Sequence, residues 1–487
     1  MKLDSISFGD RVAENESRDL SSYFIQTEQW NALYKGKVDI VLGAKGSGKS
    51  ALYTLLLQKD KSFEQQGTLL ISIEKPTGKT VFSDITSHPP TSENEFITLW
   101  KIYICQLIVN WLRNNDLCEH QADEVASLLI EAGLIREDNS LRKLLSSAKQ
   151  FAQNLLNFES FEAGASMEGE FTGKITFRTP SSDLQKKGYK SVDELLDKLN
   201  SYLSRINKKA WLLCDRLDVA FDESLELEQN ALRALFKTYR DIEEYDSICL
   251  KIFLRDDIWR RITKSGFREA SHITRSTTIS WSDRDLMSLI VSRALNNKEI
   301  VDFYKCNPEE IKSDYDEQVK FYYKLFPQQV DAGEKQSDTF NWIKNRVRDG
   351  LSNIAPREII HFYTEMIKQE QKEQEIGNNK IENSNIVSKD SIKNSTYEIS
   401  KVKTEQTIFT EYPNLQNYIM ALENNKAEHN IDTLMEIWKI ESKEALDIAN
   451  NLAEVVFFEE GTAKLEKIYK IPFLYRFYLN ITQGKAF

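Results

Sequence analysis

The sequence predicts an α/β fold built on a parallel sheet, and three observations carry that prediction. Short apolar runs alternate with segments of helical spacing through the N-terminal part of the chain. One such run, Val38-Asp39-Ile40-Val41-Leu42, leads directly into Gly43-Ala44-Lys45-Gly46-Ser47-Gly48-Lys49-Ser50, which fits G-x-x-x-x-G-K-[ST], and then into a helical stretch from Ser50 to Leu57. Another, Ala210-Trp211-Leu212-Leu213-Cys214, ends in Asp215. Strands that alternate with helices after a glycine-rich loop are joined by crossovers, which makes the sheet parallel.

The loop has a mechanical reading. Glycines let the backbone turn its N–H groups inward around a polyphosphate, and the N-terminus of the following helix adds partial positive charge. Lys49 would reach the β- and γ-phosphates of ATP, and the Ser50 hydroxyl would ligate Mg²⁺. Gly43 to Ser50, with Ala51 next to it, is therefore the expected nucleotide-binding segment. A glycine-rich turn without a ligand is the alternative, and the flanking strand and helix argue against it.

Residues 1–37 are polar with isolated aromatics. Phe24, Trp30 and Leu33 read as core side chains, with shelter for an adenine as the alternative. Thr68 to Ile73 is a short apolar run between Gly67 and Glu74-Lys75-Pro76, as expected of a buried strand. Glu93 to Gln153 takes helical spacing, as in Phe96, Leu99, Trp100, Tyr103, Leu107 and Trp111, broken near Asn114 to Asp116 and Glu137 to Asn139; this reads as a helical insertion. Phe158 to Phe177 fits a small β-hairpin or a mobile loop. A helix opens at a Ser191 cap with Glu194 three positions on and runs to Ile206.

Beyond Asp215, Glu226 to Glu244 reads as a helix and Ile248 to Arg255 as a strand. Ile273 to Trp281 closes the sheet, and Asp283 to Leu295 is the next helix. Helical segments follow, including Asn341 to Arg348 and one opening at Pro356. Lys368 to Asn385 is rich in Gln, Glu, Lys and Asn, as in a solvated helix extension or a linker. Near the C-terminus a helix precedes Val455 to Phe458, a Glu459-Glu460-Gly461 turn and a Leu465 to Ile471 strand, an order that resembles a winged helix. The expected domains are a nucleotide-binding core at 1–298 with an insertion at about 76–207, a helical lid and linker at 299–385, and a winged-helix-like domain at 386–487.

Hydrolysis needs an acid that fixes the metal and a group that orients water. Asp215, after its apolar run, has the placing of a Walker B acid and would share Mg²⁺ with Ser50. Asp218, three residues on, is the candidate for polarising the attacking water, with Asp222 and Glu223 in reserve. A buried strand followed by a solvated acidic turn is the plainer reading of the same residues. Arg255 ends the Ile248 strand, where a cation could meet the γ-phosphate; a salt bridge to a neighbouring acid is the alternative. Arg357 follows Pro356 at a helix start and could reach phosphate from a lid, or be an ordinary surface arginine.

Composition bounds the rest. With 487 residues and a formal charge of −11, the chain is long enough for two or three domains and disfavours nucleic acid as a default partner. The acids Glu441, Glu444, Asp447, Glu454, Glu459, Glu460 and Glu466 point the same way for the C-terminal segment, so protein contact is preferred there to DNA. The five cysteines and five histidines are scattered, which fits reduced thiols and no transition-metal site. No segment approaches the roughly 20 apolar residues of a membrane span, and Met1-Lys2-Leu3-Asp4-Ser5 has no apolar leader, so a cytoplasmic protein is expected.

With these elements placed, the chain resembles a family of prokaryotic P-loop ATPases related to the STAND and AAA+ groups. The resemblance lies in Phe8-Gly9 with Ala13-Glu14, Tyr23-Phe24 through Trp30, Gly43 to Ser50, Asp215-Arg216-Leu217-Asp218, Phe253-Leu254-Arg255-Asp256, Pro356-Arg357-Glu358 and Ile471-Pro472-Phe473-Leu474-Tyr475-Arg476. It implies a nucleotide-binding core, a helical lid and a winged helix in that order. It also implies nucleotide-controlled assembly or signalling as a homo-oligomer, often beside a partner effector in antiphage defence. Arg216 stands where AAA+ ATPases commonly carry a second acid, and Val219 follows Asp218 where a further acid is usual. Slow turnover, or a non-hydrolysing ATP-dependent scaffold for DNA or protein, is the alternative these departures leave.

Overall fold

Five of the short runs become one parallel sheet in the protein's structure, a computed structural model. It describes residues 3–10, 16, 20–73, 92–135, 140–162, 174–176, 179–186, 188, 190–217, 225–264, 266–378, 380–382, 384–463 and 466–487. The chain divides into two compact units, one formed by Glu28–Gly43 and Lys49–Ile279, the other by Met1–Thr27, Ala44–Gly48 and Ser280–Phe487.

In the first unit the strands are β1 (Ile40–Gly43), β2 (Thr68–Ser72), a short β3 (Ile175–Thr176) and β4 (Lys190–Ser191), then β5 (Lys209–Cys214), β6 (Ile248–Arg255) and β7 (Ser276–Thr278). The main sheet runs β2-β5-β6-β1-β7, and each of its pairings is parallel. The C-terminal ends of β1, β5 and β6 therefore share one edge. Cys214 and Ile40 both pair with Ile252, and Gly43 pairs with Arg255, so the loop after β1 leaves the sheet level with Arg255.

The expected helical insertion forms, but as part of the sheet's own core. The helix Glu93–Asn114 is buried on every side from Thr98 to Val109, as expected of an element that is apolar on most of its circumference. Phe96, Trp100, Tyr103, Leu107 and Leu112 share one cluster with Ile40, Leu212 and Leu250. Trp100 donates its indole N–H to the Ala231 carbonyl at 3.0 Å, and Lys101 meets Asp193 at 2.7 Å and Asp241 at 2.6 Å. The Ser191 cap is present, accepting from the Glu194 N–H at 3.2 Å. The expected hairpin between Phe158 and Phe177 is not seen among the described residues. The preceding helix runs to Glu162, and Ile175–Thr176 pairs in parallel with Lys190–Ser191; residues 163–173 lie outside the described residues.

The opposite edge of the sheet carries a charge network that a hydrophobicity pattern does not reveal. Asp39 and Lys251, 7% and 1% exposed, meet at 2.5 Å. Arg275 joins at 2.6 Å, and the Tyr239 hydroxyl donates to Asp39 at 3.2 Å. Burial pushes the Asp39 carboxyl up, yet the hydrogen bond from Arg275 and the Lys251 charge outweigh it and hold the group below its ordinary range.

In the second unit, helix Asp283–Leu295 starts at a reciprocal Ser282–Asp285 capping box. Helix Pro356–Glu375 packs along helix Lys389–Lys403. The polar segment after Lys368 is helical to Glu375, and its Glu370 is fully buried. Glu370 accepts from the Ser388 N–H at 2.7 Å and the Ser391 hydroxyl at 2.8 Å, so a residue that reads as solvated ties the two helices together. The same core continues beyond it through Ile386, Ile392 and Ile399.

The C-terminal part adds β8 (Lys426–His429), helices Ile431–Trp438 and Ser442–Glu454, then β9 (Glu459–Ala463), β10 (Glu466–Lys470) and β11 (Thr482–Lys485), in the sheet order β11-β8-β10-β9. The turn expected at Glu459-Glu460-Gly461 is strand instead. Gly461 pairs with Ile468, and ladder pairing against β10 overrides a turn-like local composition.

Candidate nucleotide-binding site

Gly43 closes β1, and helix Lys49–Gln58 begins six residues later, as a phosphate loop requires. Gly46 and Gly48 take φ of +82° and +106°, values that side chains with a Cβ rarely adopt. Lys49, the first residue of that helix, turns back and donates from Nζ to the Gly43 carbonyl at 2.8 Å. Ser50 and Ala51 follow in the first helical turn, where N–H groups have no helical partner.

Ala44–Gly48 packs on residues of the second unit, to which it belongs. The Trp281 indole N–H donates to the Ser47 carbonyl at 2.9 Å. The Arg357 backbone N–H donates to the Gly46 carbonyl at 3.4 Å. A Cβ on Gly46 would lie 2.9 Å from the Arg357 Cβ and 3.4 Å from a Glu358 carboxylate oxygen, so only glycine fits there. Lys45 forms an ion pair with Glu411, and Lys403 meets Glu358 at 2.7 Å. Burial raises the Glu358 carboxyl, but Lys403 and then Arg357 outweigh it and keep the group below its usual range, hence ionised.

Other sequence-expected residues fall as follows. Asp215 follows β5 and is buried, 4% exposed. Arg216 beside it takes φ of +60°, a conformation costly for a residue with a Cβ. Asp218, Asp222 and Glu223 lie outside the described residues. Arg255 ends β6 and holds Asp257 through two bonds, at 3.0 and 2.7 Å, the local salt bridge weighed from sequence. Arg357 starts its helix after Pro356 and sits against Gly46. Trp30 and Leu33 are core, 5% and 0% exposed, with Trp30 stacked on Tyr34 at 5.6 Å.

The residues present fit a phosphate group. The Ser47 Oγ is buried and lacks a hydrogen-bond partner among the described residues, which leaves a hydroxyl available within the loop. They also fit Mg²⁺, which commonly takes one or two protein oxygens and fills its octahedron with water and phosphate. Ser50 and Asp215 would supply that number, and among the described residues no group of three His, Cys, Asp or Glu forms a protein-only cage.

Sequence reasoning missed Trp281, Glu358, Lys403 and Glu411, which touch the loop or its neighbours from far along the chain. It also missed a cavity of about 390 Å³ lined by Ser7, Phe8, Tyr23, Arg293 and Asn297, where Arg293 holds Glu16 at 2.9 Å and lies over the Tyr23 ring at 4.2 Å. The only local signal was Gly9. Its φ is +94°, and a Cβ there would lie 1.9 Å from an Arg293 nitrogen.

No protein-family model matches the chain. A curated Escherichia coli K12 protein described as "Putative transposon gamma-delta 80.3 kDa protein" is 23% identical over 267 residues, 53% of this chain and 34% of that protein. The chain thus spans about a third of that relative's length. Among solved structures, the Aeropyrum pernix ORC2 protein in ADPNP–ADP complexes is 11% identical with a TM-score of 0.39, over 98% of this chain and 95% of that one. The Aeropyrum pernix ORC1 protein in complex with DNA is 10% identical with a TM-score of 0.37, over 95% and 96%. A Walker-type ATPase of Pyrococcus abyssi is 14% identical with a TM-score of 0.37, over 97% and 96%. At these scores the likeness carries no argument; the parallel sheet and the loop geometry establish the fold.

Proposed function

We propose that the chain is an ATP-binding, Mg²⁺-dependent ATPase that works as a nucleotide-controlled switch of assembly or signalling. The observation that carries this reading is the loop itself: a glycine-lined bend between a buried parallel strand and a helix, with Lys49 bonded back to the Gly43 carbonyl that opens it and the Ser47 hydroxyl buried within it. In this reading Gly43 to Ala51 hold the phosphates, with Lys49 on the β- and γ-groups. Ser50 and Asp215 hold Mg²⁺, Asp218 orients water, and Arg255 and Arg357 answer charge at the γ-phosphate. Bound Mg²⁺ would neutralise phosphate charge that these side chains alone leave unbalanced.

Contacts of the loop with Arg357 and Glu411 support a switch, because phosphate entering the loop must act on groups tied to helix Pro356–Glu375 and to the segment after Lys403. The C-terminal strand–helix–helix–ribbon order supports a winged-helix-like module. Its acidic residues, Glu459, Glu460 and Glu466 among them, favour a protein partner or a second copy over DNA. A role in antiphage defence beside an effector rests on the resemblance of the segments quoted above. Among the described residues no helix is long and apolar enough to cross a membrane, and a cytoplasmic site of action is part of the proposal.

A non-hydrolysing ATP-dependent scaffold is the second reading. It is favoured by Arg255, whose guanidinium holds Asp257, and by Arg216 in the place next to Asp215. Phosphate release measured alongside particle size, with and without ATP and double-stranded DNA, separates the two. The switch predicts ATP-dependent release together with a change in size. Binding of ATP without release under any condition supports the scaffold.

A further inference from the structure

Trp281 precedes the Ser282 cap of helix Asp283–Leu295, and that cap fixes where it stands. Ser282 Oγ accepts from the Asp285 N–H at 3.2 Å, and the Asp285 carboxylate accepts from the Ser282 N–H at 3.1 Å. The helix is anchored by Leu286, Ile290 and Ala294, each 0% exposed. From this fixed start the indole donates to the Ser47 carbonyl at 2.9 Å, and its Cζ2 lies 3.8 Å from where a Cβ on Gly48 would stand.

The consequence follows from peptide geometry. The Ser47 carbonyl and the Gly48 N–H belong to one planar trans unit and point in opposite directions; no cis bond occurs among the described residues. A carbonyl held on the Trp281 side therefore turns the Gly48 N–H to the other face of the loop. The preceding peptide is different. Its carbonyl is held by the Arg357 N–H at 3.4 Å, but its N–H, on Ser47, is spent on the Ala44 carbonyl at 3.1 Å.

We propose that Trp281 is a positioning residue for the phosphate loop: its indole N–H anchors the Ser47 carbonyl and thereby presents the Gly48 N–H to a bound phosphate. This rests on the nucleotide reading given above. Such an N–H loses value as a phosphate donor once its peptide can rotate, because the loop must then be ordered on binding.

The test is titration of ADP with Mg²⁺ by calorimetry into the full chain and into Trp281→Phe and Trp281→His, with melting of the nucleotide-free proteins alongside. Trp281→Phe keeps a flat ring and removes the donor; Trp281→His keeps a ring N–H. The expected result is affinity on the order of ten-fold weaker for Trp281→Phe, partial recovery in Trp281→His, and melting of both variants lowered by no more than about a few degrees. In the ¹⁵N-indole spectrum of the wild type, the resonance absent from either variant shifts on adding ADP, a readout that survives if one variant fails to fold. Wild-type affinity in Trp281→Phe, no gain in Trp281→His over Trp281→Phe, or an indole signal unmoved at saturating ADP each overturns the role of Trp281 alone. A wild type that binds no ADP removes the nucleotide reading and this role with it.

Discussion

At the scale of single residues, two kinds of side chain depend on what surrounds them rather than on local sequence. Gly46 is one: its positive φ and the 2.9 Å approach of Arg357 leave no room for a methyl group. Gly46→Ala is expected to strain the loop by about 1–2 kcal/mol and to weaken nucleotide binding more than it lowers thermal stability, read by calorimetry and melting together. Asp39 is the other. Its removal in Asp39→Asn leaves Lys251, 1% exposed, without its counter-charge, at an expected cost of about 3–5 kcal/mol in urea unfolding at neutral pH. The sign with pH follows from the lowered carboxyl. The folded group binds its proton less readily than the unfolded one, so its stabilisation is present above the unfolded value near 3.8 and is lost as pH falls through the lower folded value. The acid limb of the stability curve should therefore be shallower in Asp39→Asn than in wild type.

At the scale of elements, the sequence was legible where caps and burial agree with local pattern. Ile248–Arg255 and Asp283–Leu295 have the bounds read from sequence, because the first is apolar apart from Lys251 and its final Arg255 and the second has a Ser282 cap. Legibility failed where partners distant in sequence decide. Glu459 to Gly461 became strand through pairing with β10, and Glu370 became a buried acceptor through Ser388 and Ser391. Glu370→Ala should cost about 1–3 kcal/mol in denaturant unfolding, because two buried donors lose their acceptor, and an exposed glutamate in a linker would cost nearly nothing. The same limit governs the site. Gly43 to Ser50 was legible from spacing alone, whereas Trp281 and Glu411 reach it across hundreds of residues and leave no local trace.

At the scale of the whole molecule, the claim is that one loop couples a triphosphate to the state of the chain. Asp218→Asn is expected to keep ATP affinity while slowing phosphate release by about 100-fold or more; equal loss of binding would contradict the role given to Asp218. Everything in the functional account depends on the loop first gripping the phosphates. The most direct measurement is calorimetry of millimolar ATP with Mg²⁺ into wild type and into Lys49→Ala. The account predicts saturable heat from the wild type and at least about 100-fold weaker binding in Lys49→Ala. Absence of heat from the wild type, or equal binding by both proteins, would contradict it.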